Sequence, residues 1–386
     1  MLSVLAHTSG PEEVGKFSIA MAIAGPLAIL FSLSSRTLLQ TSVGKDSRPF
    51  KDFWQLRLIT TVLLMLAVLV VAVWRHDSAD VMTIILLVGL FKSLENLCDI
   101  TYGLAQRNEH DNLMSHSLFL RGLGGFAAFA GIYWLTHSLA LAMLGICSTV
   151  LIIFYFHDWR LTRRWHGSLE GWDIRGLWPI VWTSLPVCVA VFISGFNIVI
   201  PRLMLEHHEG LAALGVFSSL AYLITLGNLV VNALGNTLLT KLAWRYEHRE
   251  MKDFTMMMAK SAGILIALCT AGTLLAWLAG PQILTILYGA GFAQYASLMV
   301  MVAAGGSVIL VGTFLGYALM ATKTFTVQLW LNVAVLIGVT LAAWLLIPVY
   351  GLWGAAYTLL ALGILKTTAS LGNYAYVMML VRKEAM

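Results

Sequence analysis

The sequence predicts an all-α, polytopic membrane protein with two pseudo-symmetric helical lobes, and three observations support this fold class. Of the 386 residues, 59% are hydrophobic and 11% are charged, and the mean hydropathy is +0.83. Soluble domains carry about 25% charged residues. Apolar runs long enough to cross a bilayer follow one another along the whole chain. A segment near the N-terminus recurs 200 residues later.

Eleven full transmembrane helices and a truncated first helix account for the apolar runs, because a helix needs about 20 apolar residues to cross the hydrocarbon layer. The opening segment MLSVLAH lacks the basic region and the apolar core of a signal peptide. We interpret it as the remnant of the first helix, shortened by a late start codon or by true loss. The full spans are predicted at 17–35, 58–74, 80–104, 113–136, 139–157, 177–201, 212–240, 254–279, 294–321, 328–348 and 352–380.

The repeat predicts how the two lobes are related. Six crossings separate its copies, so both lobes have the same orientation, related by an axis along the membrane normal. This predicts an N-terminal lobe at 1–157, a cytoplasmic loop at 158–176 and a C-terminal lobe at 177–386. The copies, residues 15–40 and 215–240, align without gaps and are identical at Gly15, Phe17, Ser18, Thr37, Leu38 and Leu39.

Basic residues predict the orientation in the membrane. The loops on one side, with the C-terminal tail, carry 17 of the 24 Lys and Arg residues, whereas the opposite loops carry only Lys16 and Arg75. The positive-inside rule therefore places the first set and the C-terminus in the cytoplasm. Because these residues are spread over short loops, we predict no nucleic-acid partner. The set is Arg36, Lys45, Arg48, Lys51, Arg57, Arg107, Arg160, Arg163, Arg164, Arg175, Lys241, Arg245, Arg249, Lys252, Lys323, Arg382 and Lys383.

Three ionisable residues interrupt the span at 80–104. Lys92, Glu95 and Asp99 fall within about 60° on one helix face, and Lys92 lies about 16 Å deep, near the midplane. A charge there costs about 3 kcal/mol, so such residues normally face a bundle interior or a water-filled cavity. The alternative is a structural ion pair, either Lys92 with Glu95 or the two acids with Arg121 of the next span.

Other polar residues extend the prediction to a cationic lining. Lys366 lies deep in the last span with no acid in its own helix, whereas Lys260 and Arg202 lie near span ends and can snorkel to the interface. Arg36 is explained equally well as a topology charge. The candidates for substrate contact are Arg36, Lys92, Arg121, Asn197, Arg202, Asn236, Lys260 and Lys366, and those for ion coupling are Glu95 and Asp99.

Signatures of soluble enzymes and metal sites are absent from the sequence. It has no P-loop, GxSxG or HExxH pattern in context, which excludes an intrinsic ATPase of the P-loop type. The four cysteines lie in apolar runs without zinc spacing, and the adjacent His207 and His208 point apart. We predict a transporter without a cofactor or metal site.

Several stretches, in order along the chain, resemble Wzx-type oligosaccharide flippases. They are GPEEVGKFS, FSLSSRTLLQ, TSLPVCVAVFISGFNIVIPRLML, LGVFS, LYGAGF and LIPVYGLWGAAYTLL. These flippases form the polysaccharide-transport branch of the superfamily that also contains MATE exporters and lipid II flippases. The chain departs from the family by lacking most of the first helix, and it is too short for the fourteen spans that are typical of lipid II flippases.

The resemblance implies twelve helices in two six-helix lobes around a central cavity. It also implies transport of undecaprenyl-pyrophosphate-linked oligosaccharide repeat units across the bacterial inner membrane, from the cytoplasmic to the periplasmic leaflet. The intramembrane cations fit such a substrate because they attract its anionic headgroup. The membrane potential, or proton or sodium counter-transport, would drive the step, and the resemblance also implies polysaccharide polymerase machinery as a partner.

Two other functions stay open on sequence alone. A MATE-like drug or organic-cation antiporter would favour a cavity rich in acids and aromatic residues. A membrane-bound glycan polymerase or ligase would need a large periplasmic loop with polar catalytic groups, whereas the longest outward connection, around 280–295, is mostly apolar.

Overall fold

The computed structural model describes residues 1–42, 48–167, 169–171, 174–322 and 325–384, and it contains helices but no β-strand in these ranges. A π-helical segment, Phe154–Trp159, follows α7, and 3-10 turns lie at Arg163–Trp165 and Ala290–Tyr295. The α-helices are α1 (Leu2–Ser9), α2 (Pro11–Ser32), α3 (Ser35–Thr41), α4 (Phe50–Trp74), α5 (Ala79–Arg107), α6 (Asp111–Thr136), α7 (Leu139–Ile153), α8 (Arg160–Thr162), α9 (Ile174–Glu247), α10 (Met251–Tyr288), α11 (Ala296–Ala321) and α12 (Phe325–Glu384).

Nine helical stretches among the described residues are long and apolar enough to cross a membrane. Three of the long helices contain a break: α9 at Gly210 (φ 80°, ψ −176°), α10 at Ala279 (φ −123°, ψ 16°) and α12 at Gly351 (φ 53°, ψ −124°). At the two glycines φ lies in the left-handed region that glycine adopts at little cost. The predicted all-helical, membrane-spanning class is confirmed, whereas the number of spans stays a prediction.

The helices extend further than the apolar runs that predicted them. The start of α4 is amphipathic: Phe50, Phe53 and Leu56 are buried at helical spacing while Lys51 and Asp52 lie between them. A window of hydropathy therefore misses its first turns, and the predicted start at 58 is wrong. The start of α2 is likewise earlier than predicted, because Pro11 suits the first position of a helix.

The chain divides into two compact units. Unit 1 is Lys16–Gly195, and unit 2 is Leu2–Gly15 together with Phe196–Met386. In unit 1, α5 packs on α3, α4 and α7, and α6 packs on α7. In unit 2, α11 packs on α10 and α12, and α1 packs on α10 with Leu5 fully buried. The predicted lobe limits at 157 and 177 stay a prediction.

The first residues of the two copies of the predicted repeat, Gly15 and Gly215, lie close together inside unit 2. A Cβ atom on Gly15 would overlap the carbonyl oxygen of Leu211, and one on Gly215 would overlap the carbonyl oxygen of Pro11. The two contacts are equivalent under the repeat, because Gly15 corresponds to Gly215 and Pro11 corresponds to Leu211 at the offset of 200 residues. Each copy also follows a left-handed glycine at equivalent positions, 10 (φ 81°) and 210 (φ 80°). The repeat therefore has a structural counterpart, a local two-fold crossing that only glycine permits.

Candidate functional site

The charged face of α5 is the centre of a polar network in unit 1. We call Arg36, Arg57, Lys92, Glu95, Asp99 and Arg121 the α5 charge network. Four elements, α3 to α6, supply its members, so it is assembled by packing and not by one helix. All the cations in it form a hydrogen bond or an ion pair with another residue of unit 1.

The first half of the network surrounds Glu95. One carboxylate oxygen, Oε2, accepts a hydrogen bond of 2.8 Å from Nζ of Lys92, and the other, Oε1, lies 3.4 Å from Nη2 of Arg121. Nη1 of Arg121 donates to the hydroxyl of Tyr102 at 2.9 Å, and that hydroxyl lies 2.7 Å from Oγ of Ser117. Of the pairings left open by the sequence, Lys92–Glu95 and Arg121–Glu95 are both present.

The second half surrounds Asp99. Nη1 of Arg36 donates to Oδ1 of Asp99 at 2.8 Å, and its Nη2 donates to Oε1 of Gln106 at 2.7 Å. Arg36 reaches α5 because α2 ends at Ser32 and the positive-φ residues Leu33 (φ 49°) and Ser34 (φ 45°) turn α3 toward α5. Gly103 permits the approach, since a Cβ there would lie 3.2 Å from Cγ of Arg36. The pairing of Asp99 with Arg121, one of the sequence alternatives, is replaced by this one.

Arg57 is a member of the network that the sequence did not predict. The sequence predicts it in a cytoplasmic loop as a topology charge, and this prediction is wrong: Arg57 lies in α4 and is 1% exposed. Nη2 donates to Oγ of Ser35 at 2.6 Å and lies 3.9 Å from Oδ2 of Asp99. Its Nε and Nη1 atoms are buried without a hydrogen-bond partner. Burying guanidinium donors without hydrogen-bond partners lowers the stability of the fold. Such a residue in a native structure therefore calls for a functional explanation.

The network has more positive than negative charge. Four cations, Arg36, Arg57, Lys92 and Arg121, face two acids, which leaves a formal excess of two positive charges. The side chains of Glu95 and Asp99 are 35% and 31% exposed, so a solute can reach the carboxylates. The arrangement can therefore attract a divalent anion and can exchange a cation at either acid.

The remaining candidates lie in unit 2. Nζ of Lys366 donates to Oγ1 of Thr313 at 2.8 Å, and no acid in the described ranges is within ion-pair distance. Asn197 is buried with Oδ1 unpartnered, and Nε of Arg202 also has no partner. Lys260 is exposed on α10. The side chain of the last candidate, Asn236, lies outside those that the structure describes.

A buried acid at the end of α7 is a second residue missed by sequence reasoning. The π-helical turn places Asp158 inward, 4% exposed, although we assigned it to the first position of a cytoplasmic loop. Oδ1 lies 2.9 Å from Nδ1 of His157, and Oδ2 is buried without a partner. The isolated acid next to the aromatic run FYFH was the available sequence signal. Single π-turns in helices are frequent at functional sites.

Beyond this turn, His166 lies within the predicted cytoplasmic loop and packs against α4. It lies 3.0 Å from Oγ1 of Thr162 and stacks on Phe50. Burial, with a smaller contribution from the nearby positive charge of Arg163, lowers the pKa of His166 from 6.5 to about 4. His166 is therefore neutral at physiological pH. Within the described ranges, no group of three His, Cys, Asp or Glu side chains converges to hold a metal ion.

Comparisons with known proteins agree with the predicted resemblance. No family model matches the chain. The capsular polysaccharide biosynthesis protein CapF of Staphylococcus aureus is 28% identical over 364 residues, which cover 93% of this chain and 90% of CapF.

Solved transporter structures share the fold. An inward-facing multidrug resistance MATE transporter of the MOP superfamily superposes with a TM-score of 0.77 at 13% identity, covering 99% of this chain and 93% of that one. The lipid II flippase MurJ, in an inward closed conformation, gives a TM-score of 0.78 at 13% identity, covering 97% and 84%. At such identity the likeness shows the fold alone. With the CapF match, it confirms the predicted resemblance to flippases of the MOP superfamily and the MATE-like fold class.

Proposed function

We propose that this chain, which has the fold of the MOP superfamily, moves an oligosaccharide linked to an anionic polyprenyl pyrophosphate lipid across the bacterial inner membrane. The observation that carries the proposal is the excess of two positive charges in the α5 charge network. A pyrophosphate group is of complementary sign, and Arg guanidinium groups bind phosphate with two parallel hydrogen bonds. The similarity to a capsular polysaccharide biosynthesis protein supports the sugar part of the substrate.

Charge also supplies part of the driving force. The interior of a bacterial cell is negative, so moving one negative charge outward gains about 2.3 kcal/mol per 100 mV. Two phosphate charges at ~100 mV would therefore gain about 5 kcal/mol. Alternating access of the binding site to the two leaflets then needs no ATP.

A counter-ion adds to this force in our proposal. Glu95 and Asp99 are each paired with cations, yet each is about one third exposed. Either acid can exchange its arginine or lysine partner for a proton or a sodium ion when a phosphate takes that partner. The two acids are therefore the proposed coupling residues, and Arg36, Lys92 and Arg121 the proposed phosphate ligands.

The drug-antiporter alternative is supported by the MATE neighbours but not by the site. An organic cation needs an excess of acids, whereas the α5 charge network and Lys366 present cations. A glycan polymerase or ligase is the less favoured reading, since the structural relatives are transporters.

The test is complementation of a bacterial strain that lacks its polysaccharide flippase, with surface glycan as the readout. We expect Arg121→Ala and Lys366→Ala each to reduce surface glycan at least tenfold, because each removes an intramembrane cation. The control is Arg245→Ala, which removes an arginine paired with Asp253 near the end of α9. Full activity of both intramembrane variants, at equal expression, would contradict the cationic site.

A further inference from the structure

A groove in unit 2 is separate from every residue discussed so far. It has a volume of about 320 Å³ and lies between the second part of α9, α10 and α11. Small residues open it, among them Gly272, Ala276 and Ala303. Its volume is at the lower end of the range of ~300–1,000 Å³ seen for small-molecule sites.

The groove is chemically suited to hydrocarbon alone. Its polar side chains are Cys269, Thr273 and Ser307, and the two hydroxyls bond to each other at 3.1 Å. Each hydroxyl also lies within hydrogen-bond distance of the carbonyl oxygen of Cys269, so the two hydroxyl protons are shared among these three contacts. Neither hydroxyl proton is therefore left to donate to a phosphate, and the remaining lining residues are apolar.

The length of the groove matches half of a bilayer. It is lined from Leu265 to Ala276 on α10 and from Met299 to Leu310 on α11, which at 1.5 Å per residue is about 16 Å. The hydrocarbon layer is about 30 Å thick. Two lining residues, Val230 and Leu268, are 48% and 53% exposed. The groove thus opens on the surface of unit 2, where a hydrocarbon chain can enter it.

Charge decides which lipid fits. Residues 210–240 and 261–322, which include all the lining segments, contain no Asp, Glu, Lys or Arg. These segments therefore provide no cation along the groove for the phosphate of a phospholipid lying in it. The ammonium of Lys366, bonded to Thr313, lies about one helical turn beyond Leu310 along α11. This favours a long chain whose charged head lies beyond the end of the groove.

We propose that the groove holds part of the polyprenyl chain of the lipid-linked substrate, an inference that rests on the proposed function. The groove would keep the chain in a defined place while the head crosses the membrane. A substrate with a short prenyl chain would lose this contact and keep the phosphate contacts.

The chain offers a matched pair of variants. A Cβ at Gly272 has no atom within 4 Å, so Gly272→Leu fills open groove space without a backbone clash. Gly263 also has nothing within 4 Å and lies on the same helix, but it does not line the groove. Gly263→Leu is therefore the control, with the same gain in helix propensity.

In proteoliposomes, transport is measured for two lipids with one pyrophosphate-oligosaccharide head and either a long or a short prenyl chain. We expect wild type and Gly263→Leu to transport the long-chain lipid at least fivefold faster, and Gly272→Leu to transport both at the slow, short-chain rate. An unchanged preference in Gly272→Leu would overturn the proposal.

A binding experiment, measured without transport, tests this inference independently of the proposed function. A polyprenyl phosphate with a benzophenone near its tail end should label the α10 peptide containing residues 265–276 in wild type, and at least fivefold less in Gly272→Leu. Labelling without any transport would retain the groove and refute the proposed flippase activity. Absence of labelling, or its loss on adding excess phosphatidylglycerol, would refute the polyprenyl occupant.

Discussion

Replacing Arg57 by methionine should leave the protein at least as stable and yet impair transport. Arg57 is 1% exposed, and two of its three guanidinium nitrogens have no hydrogen-bond partner. Its other contacts are a hydrogen bond to Ser35 and an ion pair of 3.9 Å with Asp99. A methionine of similar volume removes the charge and the free donors together.

The magnitudes can be compared term by term. Two buried, unpartnered donors cost about 2–6 kcal/mol together. The hydrogen bond to Ser35 contributes about 1.5–3 kcal/mol, and the ion pair with the partly exposed Asp99 contributes about 1 kcal/mol. The free energy of unfolding should therefore rise by about 1 kcal/mol, which corresponds to a rise in Tm of about 2–4 °C. Loss of one cation near a divalent head should reduce transport at least tenfold, or about 1.4 kcal/mol.

The assay pairs a thermal melt in detergent with transport in proteoliposomes. Arg57→Lys should recover part of the transport, because it restores the positive charge. Arg75→Met, at the other end of α4 in an ion pair with Asp77, should leave transport unchanged. A melting temperature more than ~5 °C below wild type would mean that Arg57 has a structural role, and full transport by Arg57→Met would refute a role in binding.

Three further outcomes are expected. Gly215→Ala should lower the free energy of unfolding by about 2 kcal/mol because the crossing is too close for a Cβ, whereas Gly263→Ala, in open space, should not lower the melting temperature. Because the pKa of His166 is lowered to about 4, stability should fall by up to about 3 kcal/mol as the pH drops from about 6.5 to about 4, and a chemical-denaturation series should show a smaller fall in His166→Gln. Transport by the double variant Glu95→Gln, Asp99→Asn should no longer depend on the pH or sodium gradient, and unchanged dependence would exclude both acids as coupling residues.

The sequence predicted those parts of the fold and site that depend on the rarity of charged residues and on helical periodicity. Charged residues are rare in this chain, so Lys92, Glu95 and Asp99 stood out, and helical periodicity placed them on one face. The ungapped repeat marked Gly15 and Gly215 as equivalent positions, and the structure adds that they lie close together at a local crossing.

What sequence reasoning missed depends on tertiary contacts. Arg57 lies near a predicted span end, where basic residues usually indicate topology, and only the packing of α4 on α5 shows that it faces inward. Asp99 is paired with Arg36, which is 63 residues away in sequence, so no local pattern connects them. Asp158 is turned inward by a π-helical segment that hydropathy does not detect.

The central claim is that an excess of positive charge around α5 selects an anionic lipid head. The most direct measurement is the affinity of the purified protein for a polyprenyl pyrophosphate oligosaccharide and for the same lipid with an uncharged linkage. We predict at least thirtyfold tighter binding of the pyrophosphate lipid by wild type, and loss of most of that preference in Arg121→Gln. Equal affinity of wild type for the two lipids would contradict the claim.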